Sequence, residues 1–253
     1  MDGDAPFHDD FDGPALDRAV WLPHYLPAWS SRADTAASLR LGNSCLTLDV
    51  PVDHPRWCPA EHSPPLRVSG IQSGSYSGAV GSTRGQQRFR PGQTVREAQA
   101  RFKGWLPQRG RVAIRCRMSI SPRSMAALWL SGFEDDPSQD ECGELCVVEI
   151  FGRSVDGTSA EVGMGIKAFR DPQLSDDFEA PRLPIEIADF HEYAVNWDAD
   201  EAIFSVDGEQ VRRCPRPPTY PLQLMLAVFD FPDWSQGDDD HLVPELVIDW
   251  ISG

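Results

Sequence analysis

Apolar residues along the chain come in short runs, and few segments hold the i, i+3, i+4 spacing of an amphipathic helix for about a dozen residues. The 22 prolines and 20 glycines interrupt the pattern often. Runs rich in β-branched and aromatic residues predict strands over Cys45–Val50, Gly110–Ser119, Ala126–Gly132, Glu144–Gly152, Ala160–Ala168, His191–Trp197, Ala202–Val206, Leu222–Val228 and Val247–Ile251. Between Phe204-Ser205-Val206 and Gln210-Val211, Asp207-Gly208 is a two-residue hairpin signal. Antiparallel strands closed by such turns, with few helices, predict an all-β sandwich or barrel. The long connections over 82–101, 133–143, 169–184 and 231–243 are expected to shape a binding surface on that scaffold.

No Gly/Ser tract, Pro-rich linker or repeat divides the chain, and apolar residues continue to Leu246-Val247-Ile248-Asp249-Trp250-Ile251, so residues 1–253 are expected to form one domain. A chain this long buries a full core without metal or disulfide staples. The six cysteines, at 45, 58, 116, 142, 146 and 214, lack framework spacing and read mostly as reduced thiols. The net charge of −16 argues against a nucleic-acid groove, and neutral polymers such as polysaccharides fit better. The Arg-rich stretch from Arg84 to Arg101 is expected to be a solvated loop. Met1-Asp2-Gly3-Asp4-Ala5-Pro6 has neither the basic nor the apolar part of a signal peptide, and no apolar run reaches about 18 residues, so no membrane partner is expected. A complete chain is expected in the cytoplasm; one from which an export signal was removed, outside the cell.

The most informative segment is Gly143-Glu144-Leu145-Cys146-Val147-Val148-Glu149-Ile150-Phe151-Gly152, where two carboxylates interrupt an apolar run. Residues five apart on a regular strand point to opposite faces, which would drive one glutamate into the core. One extra residue around Val147-Val148 removes the conflict: Glu144, Cys146 and Glu149 share a face, leaving Leu145, one valine and Ile150 for the core. Two carboxyls converging in a cleft can divide labour, one ionised as nucleophile and one protonated as acid. Retaining glycoside hydrolysis needs that pair about 5–5.5 Å apart.

The segment resembles the bulged Glu-x-Asp-x-x-Glu strand that marks glycoside hydrolase family 16, with Glu144 and Glu149 at its outer positions. By that match Glu144 resembles the nucleophile and Glu149 the general acid/base. Phe11-Asp12-Gly13 with Leu16-Asp17 and Trp21 resembles the family's opening, and Ala127-Leu128-Trp129-Leu130 the strand before the signature. Phe190-His191-Glu192-Tyr193-Ala194-Val195-Asn196-Trp197 with Phe204-Ser205-Val206-Asp207-Gly208 resembles its hairpin, and Val247-Ile248-Asp249-Trp250 its closing strand. The chain departs at Cys146, where the signature has its middle Asp; a weak thiol donor replaces a carboxyl that tunes the nucleophile. The resemblance implies a jelly-roll of two curved antiparallel sheets with an open substrate cleft on the concave face. It further implies a monomeric, retaining, endo-acting hydrolase or transglycosylase on a β-1,3- or β-1,3/1,4-glucan. The competing reading is a lectin-like carbohydrate binder with weakened or lost catalysis.

The family's cleft suggests substrate-binding roles for Trp129, just before the acid pair, and for Trp234 in the Asp233-Trp234-Ser235 loop. His191, Tyr193 and Trp197 share a strand face, and the resemblance puts that face beside the cleft, with His191 and Trp197 as substrate contacts. For each, packing or a satisfied structural role is the alternative. Cys142 and Cys146 lack the further ligands of a zinc site, and neighbouring carboxylates disfavour a reactive thiolate at Cys146 or a thiol-sensing role for the pair. No cofactor is expected for catalysis. Many members resemble one another in carrying a structural Ca²⁺ near the termini, where Asp249 matches a ligand position, while the Asp238-Asp239-Asp240 run reads as solvated.

Overall fold

Segments of alternating side-chain direction pair throughout as antiparallel strands, and the computed structural model describes them for residues 6–136, 140–237 and 241–253. The Asp238-Asp239-Asp240 run lies outside the described residues. One sheet orders Glu209–Pro215, Glu201–Val206, His191–Trp197, Gly110–Ser119, Glu245–Ser252, Leu46–Asp49 and Ser38–Leu41, with His8–Asp9 also paired to Glu245–Ser252. The other orders Asp177–Glu179, Gly163–Lys167, Glu144–Phe151, Ser124–Gly132, Leu222–Asp230 and Arg67–Gln72. They stack as a jelly-roll sandwich. Helix among the described residues is limited to the 3-10 turns Pro27–Trp29, Gly152–Ser154 and Pro232–Trp234. Asp207 and Gly208 turn the predicted hairpin with φ of 50° and 81°, the two positive values a type I′ turn needs.

Between the sheets, Leu128, Leu145, Ile150 and Leu226 meet Ile114, Val195, Phe204 and Ile248, all fully buried. Each such side chain contributes about 1.5–3 kcal/mol of burial. A second apolar layer covers much of the other face of the six-stranded sheet. There Leu26, Trp29, Trp57 and Leu66 pack over Met125, Ala127, Trp129 and Phe229. Strands covered on both faces need no polar alternation, so Ser124–Gly132 and Leu222–Asp230 are buried at every position. Where that second layer stops, the sheet's outer face is left as a cleft.

Two glutamates share a cleft through one surplus valine

Across from Ser124–Gly132, Leu128 pairs with Val148 and Trp129 with Cys146, so Val147 is surplus. The other neighbour shows the same slip, Gly163 pairing with Glu149 and Gly165 with Cys146. This bulge turns Glu144, Cys146 and Glu149 to the cleft, as the spacing of the two glutamates predicts. One detail differs: both Val147 and Val148 enter the main core, each 1% exposed, because the surplus residue kinks inward instead of looping out.

The cleft contains a cavity of about 260 Å³, floored by Glu144, Cys146, Glu149 and Trp129 and walled by Trp57 and Phe89. Glu144 is 6% exposed. Burial pushes its carboxyl up to about 8; the Lys167 ammonium pulls down, Glu149 pushes up, and a hydrogen bond from Gln87 Nε2 favours the charged form. Glu149 takes the opposite partner, its Oε2 lying 3.0 Å from Lys167 Nζ. Lys167 sits opposite Glu144 on the next strand, 4.4 Å over the Phe178 ring. Burial works against its ammonium, and the neighbouring acidic groups Cys146, Glu149 and Glu144 outweigh it, holding its pKa above the usual value. Burial, then Glu149, also holds the Cys146 thiol well above its ordinary range, so it stays protonated, with its sulfur 3.9 Å from Gly163 O.

Gln87, which had no sequence signal, sits at φ 47°, the left-handed region that a non-glycine residue enters only when held there. It is held: its N–H donates to Glu134 Oε2 at 2.5 Å, and Arg170 bonds the other oxygen of that carboxylate. Lys167 lies within the strand predicted over Ala160–Ala168, with nothing in the sequence to set it apart. Gly163 and Gly165 precede it on the cleft face; a Cβ at Gly165, φ 137°, would lie 2.1 Å from Asp177 O, so the backbone stays bare there. Trp57 is 3% exposed, and its indole N–H has no hydrogen-bond partner among the described residues.

Trp129 lies in the cleft, its ring edge-to-face with Tyr25 at 6.4 Å and tilted to Phe229 at 6.1 Å. Trp234 stacks on Phe231 at 4.0 Å and carries Arg153 over its ring, prolonging the aromatic row past the cavity. His191 and Trp197 do not reach the cleft. Their strand belongs to the opposite sheet, and the face shared with Tyr193 looks into the main core. Trp197 is 2% exposed and donates to Gln108 O at 3.1 Å, while His191 Nδ1 lies 2.6 Å from Asp207 Oδ2. A period of two assigns residues to a common face without saying what that face meets. Asp249 bonds the Arg115 guanidinium, and no group of three His, Cys, Asp or Glu able to hold a metal forms among the described residues. A carboxylate neutralised by arginine does not fit a calcium ligand. All six cysteines are free thiols, and only Cys45 is more than marginally exposed.

Residues 108–252 match the family described as Glycosyl hydrolases family 16. The chain belongs to this family. Among solved structures it is similar to the GlcNAcα1-4Gal releasing endo-β-galactosidase from Clostridium perfringens, with a TM-score of 0.81 at 23% identity. That match covers 97% of this chain and 61% of the other, so the chain spans less than two thirds of that protein. It is also similar to the catalytic domain of an endo-1,3-β-glucanase (laminarinase) from Thermotoga petrophila, with a TM-score of 0.67, 17% identity and coverage of 97% and 95%. A β-1,3-1,4-glucanase (lichenase) from a mouse hindgut metagenome gives 0.60, 17%, 98% and 97%. At these identities the likeness is one of fold. No curated protein matches by sequence.

Proposed function

We propose that this family 16 member is a retaining, endo-acting hydrolase of β-linked polysaccharide, with β-1,3- and mixed β-1,3/1,4-glucans as the first candidates and β-galactans next. The observation that carries this reading is that Glu144 and Glu149, separated by the bulge at Val147, both face the open side of a buried sheet. The aromatic row from Trp129 to Trp234 suits pyranose rings, which offer C–H faces. Cys146 stands where the family's signature has a carboxyl; in this reading Gln87 provides a hydrogen bond to Glu144 from the loop above instead.

The resting contacts run opposite to the roles taken from the family match. Glu144 as nucleophile must be ionised and Glu149 as acid must be protonated, yet burial favours the proton on Glu144 and Lys167 binds Glu149. Entry of a sugar that parts Lys167 from Glu149 would free the ammonium to favour charge on Glu144 and let Glu149 take the proton. The exchanged assignment, Glu149 as nucleophile and Glu144 as acid, is favoured by the resting ion pair and is kept as the second reading.

The test is a screen of laminarin, lichenan, agarose, xyloglucan and β-1,4-galactan for reducing ends, followed by trapping with a 2-fluoro glycoside of the active substrate. A label on Glu144 supports the first assignment and one on Glu149 the second. Glycan binding without turnover on any polymer would make the chain a carbohydrate binder instead.

A further inference from the structure

The Arg84–Arg101 segment is no free solvated loop: Gln87, Arg88 and Phe89 line the cleft. Backbone and side-chain bonds pin it along this stretch. Trp29 Nε1 donates to Gln86 O at 2.8 Å, Tyr76 N to Gln86 Oε1 at 2.9 Å, and Arg170 Nη1 to Arg88 O at 3.2 Å. Arg88 is thus half-buried on a fixed main chain.

Its neighbours' charges are answered and its own is not. Lys167 has Glu149, Arg170 has Glu134, and Arg90 and Arg96 share Glu61. The Arg88 guanidinium makes no hydrogen bond or ion pair among the described residues; Glu134, whose carboxyl it helps to pull down, is bonded by Arg170 instead. The cleft is lined by three cationic side chains, Arg88, Lys167 and Arg170, against the two carboxyls Glu144 and Glu149. In a chain of net charge −16 this is a local reversal of sign, at the place where a substrate must lie.

We infer that Arg88 forms a subsite for an anionic substituent, a sulfate ester or a carboxylate, on the glycan bound in this cleft. The planar guanidinium offers parallel N–H donors that match both groups, and a half-buried site screens the contact less than open solvent would. Neutral glucans would occupy the acid pair and leave this charge unanswered. The inference rests on the hydrolase reading above, and it narrows the substrate class.

Binding by Glu144→Gln, which cannot turn substrate over, tests it whichever polymer proves to be the substrate. Matched glucose- and galactose-based β-linked oligosaccharides are arrayed in neutral, O-sulfated and uronate- or sialate-bearing forms. The expected result is a preference for one anionic series over its neutral counterpart of about tenfold or more, the worth of a hydrogen bond to a charged group. Raising salt should reduce that preference, and Arg88→Ala and Arg88→Gln added to Glu144→Gln should abolish it while neutral binding persists. Whether the sulfated or the carboxylated arm responds distinguishes the two sources. Equal binding of neutral and anionic series, or a preference that survives both Arg88 substitutions, overturns the subsite. Failure of folded Glu144→Gln to bind any glycan overturns the hydrolase reading, and the subsite with it.

Discussion

The six-stranded sheet buries two carboxylates in contrasting company. Asp230, 3% exposed, is clasped by Arg123 through Nε at 2.5 Å and Nη2 at 3.0 Å, and by Arg67 at 2.7 Å. Glu144, 6% exposed, has a neutral amide and one lysine whose own bond goes to Glu149. Burial alone therefore distinguishes nothing; what differs is how fully the desolvated charge is answered. A carboxylate met by a bidentate fork and a second arginine is a staple that ties strands together. One met by too little charge has its pKa raised toward neutrality, where the group can give or take a proton in chemistry.

The largest expected effect on this contrast is at Glu144. Glu144→Gln should abolish turnover and leave glycan binding nearly intact, because the amide keeps the shape but neither attacks carbon nor exchanges a proton. Residual turnover comparable to the parent would remove Glu144 from the reaction. The same variant sharpens the electrostatic side. Glu144's folded pKa, about 8, stands above its ordinary 4.5, so between these values the folded state binds more protons than the unfolded one. Its stability contribution is therefore lost as pH rises from about 4.5 to about 8, whereas glutamine titrates nowhere. Melting temperatures of the two proteins should diverge in favour of Glu144→Gln across that window and run parallel above it.

Next in size is the clasp. Asp230→Asn leaves one buried and one half-buried guanidinium short of their anion and should cost about 3–5 kcal/mol, read from urea unfolding. A loss under about 1 kcal/mol, the worth of an exposed pair, would erase the distinction between the two carboxylates. Smaller again is Cys146→Asp. The site is closed around a neutral thiol, and a carboxylate added there without a prepared partner should lower both stability and rate. A rate gain of about tenfold or more, about 1.4 kcal/mol of barrier, would show that the thiol is a weakened aspartate position instead. The smallest effect is expected for Gln87→Ala. Loss of a donor that favours the charged form should move the Glu144 limb of the kcat/KM profile upward by about one pH unit. That limb rises with pH if Glu144 is the nucleophile and falls if it is the acid, so one titration also separates the two assignments.

Much of the scaffold was legible because it is local. Gly110–Ser119 and His191–Trp197 have the bounds predicted from their apolar residues, and Asp207-Gly208 closes its hairpin. The bulge was legible from a contradiction, two acidic side chains at a spacing that a regular strand cannot place on one face. Arg67–Gln72 escaped notice because its polar residues are satisfied across long sequence gaps, Ser69 by Ser38 O and Gln72 by Leu26 N. Gln87 escaped for the same reason: its meaning depends on Glu144 and Glu134, dozens of residues away. His191 and Trp197 were misplaced because face-sharing is a local property and cleft-lining is not.

The surplus valine also separates two properties of the acid pair that mutation would normally confound. Without Val147 the segment would read Glu-Leu-Cys-Val-Glu, an ordinary alternation in which both glutamates still point outward and each keeps its partners, Ser131 and Lys167 for one, Ala127 and Gly163 for the other. A single-codon deletion would thus preserve direction and erase only the local bend. The pair's orientation needs no bulge at that shorter length; its aim does, and the chain spends a core position to obtain it.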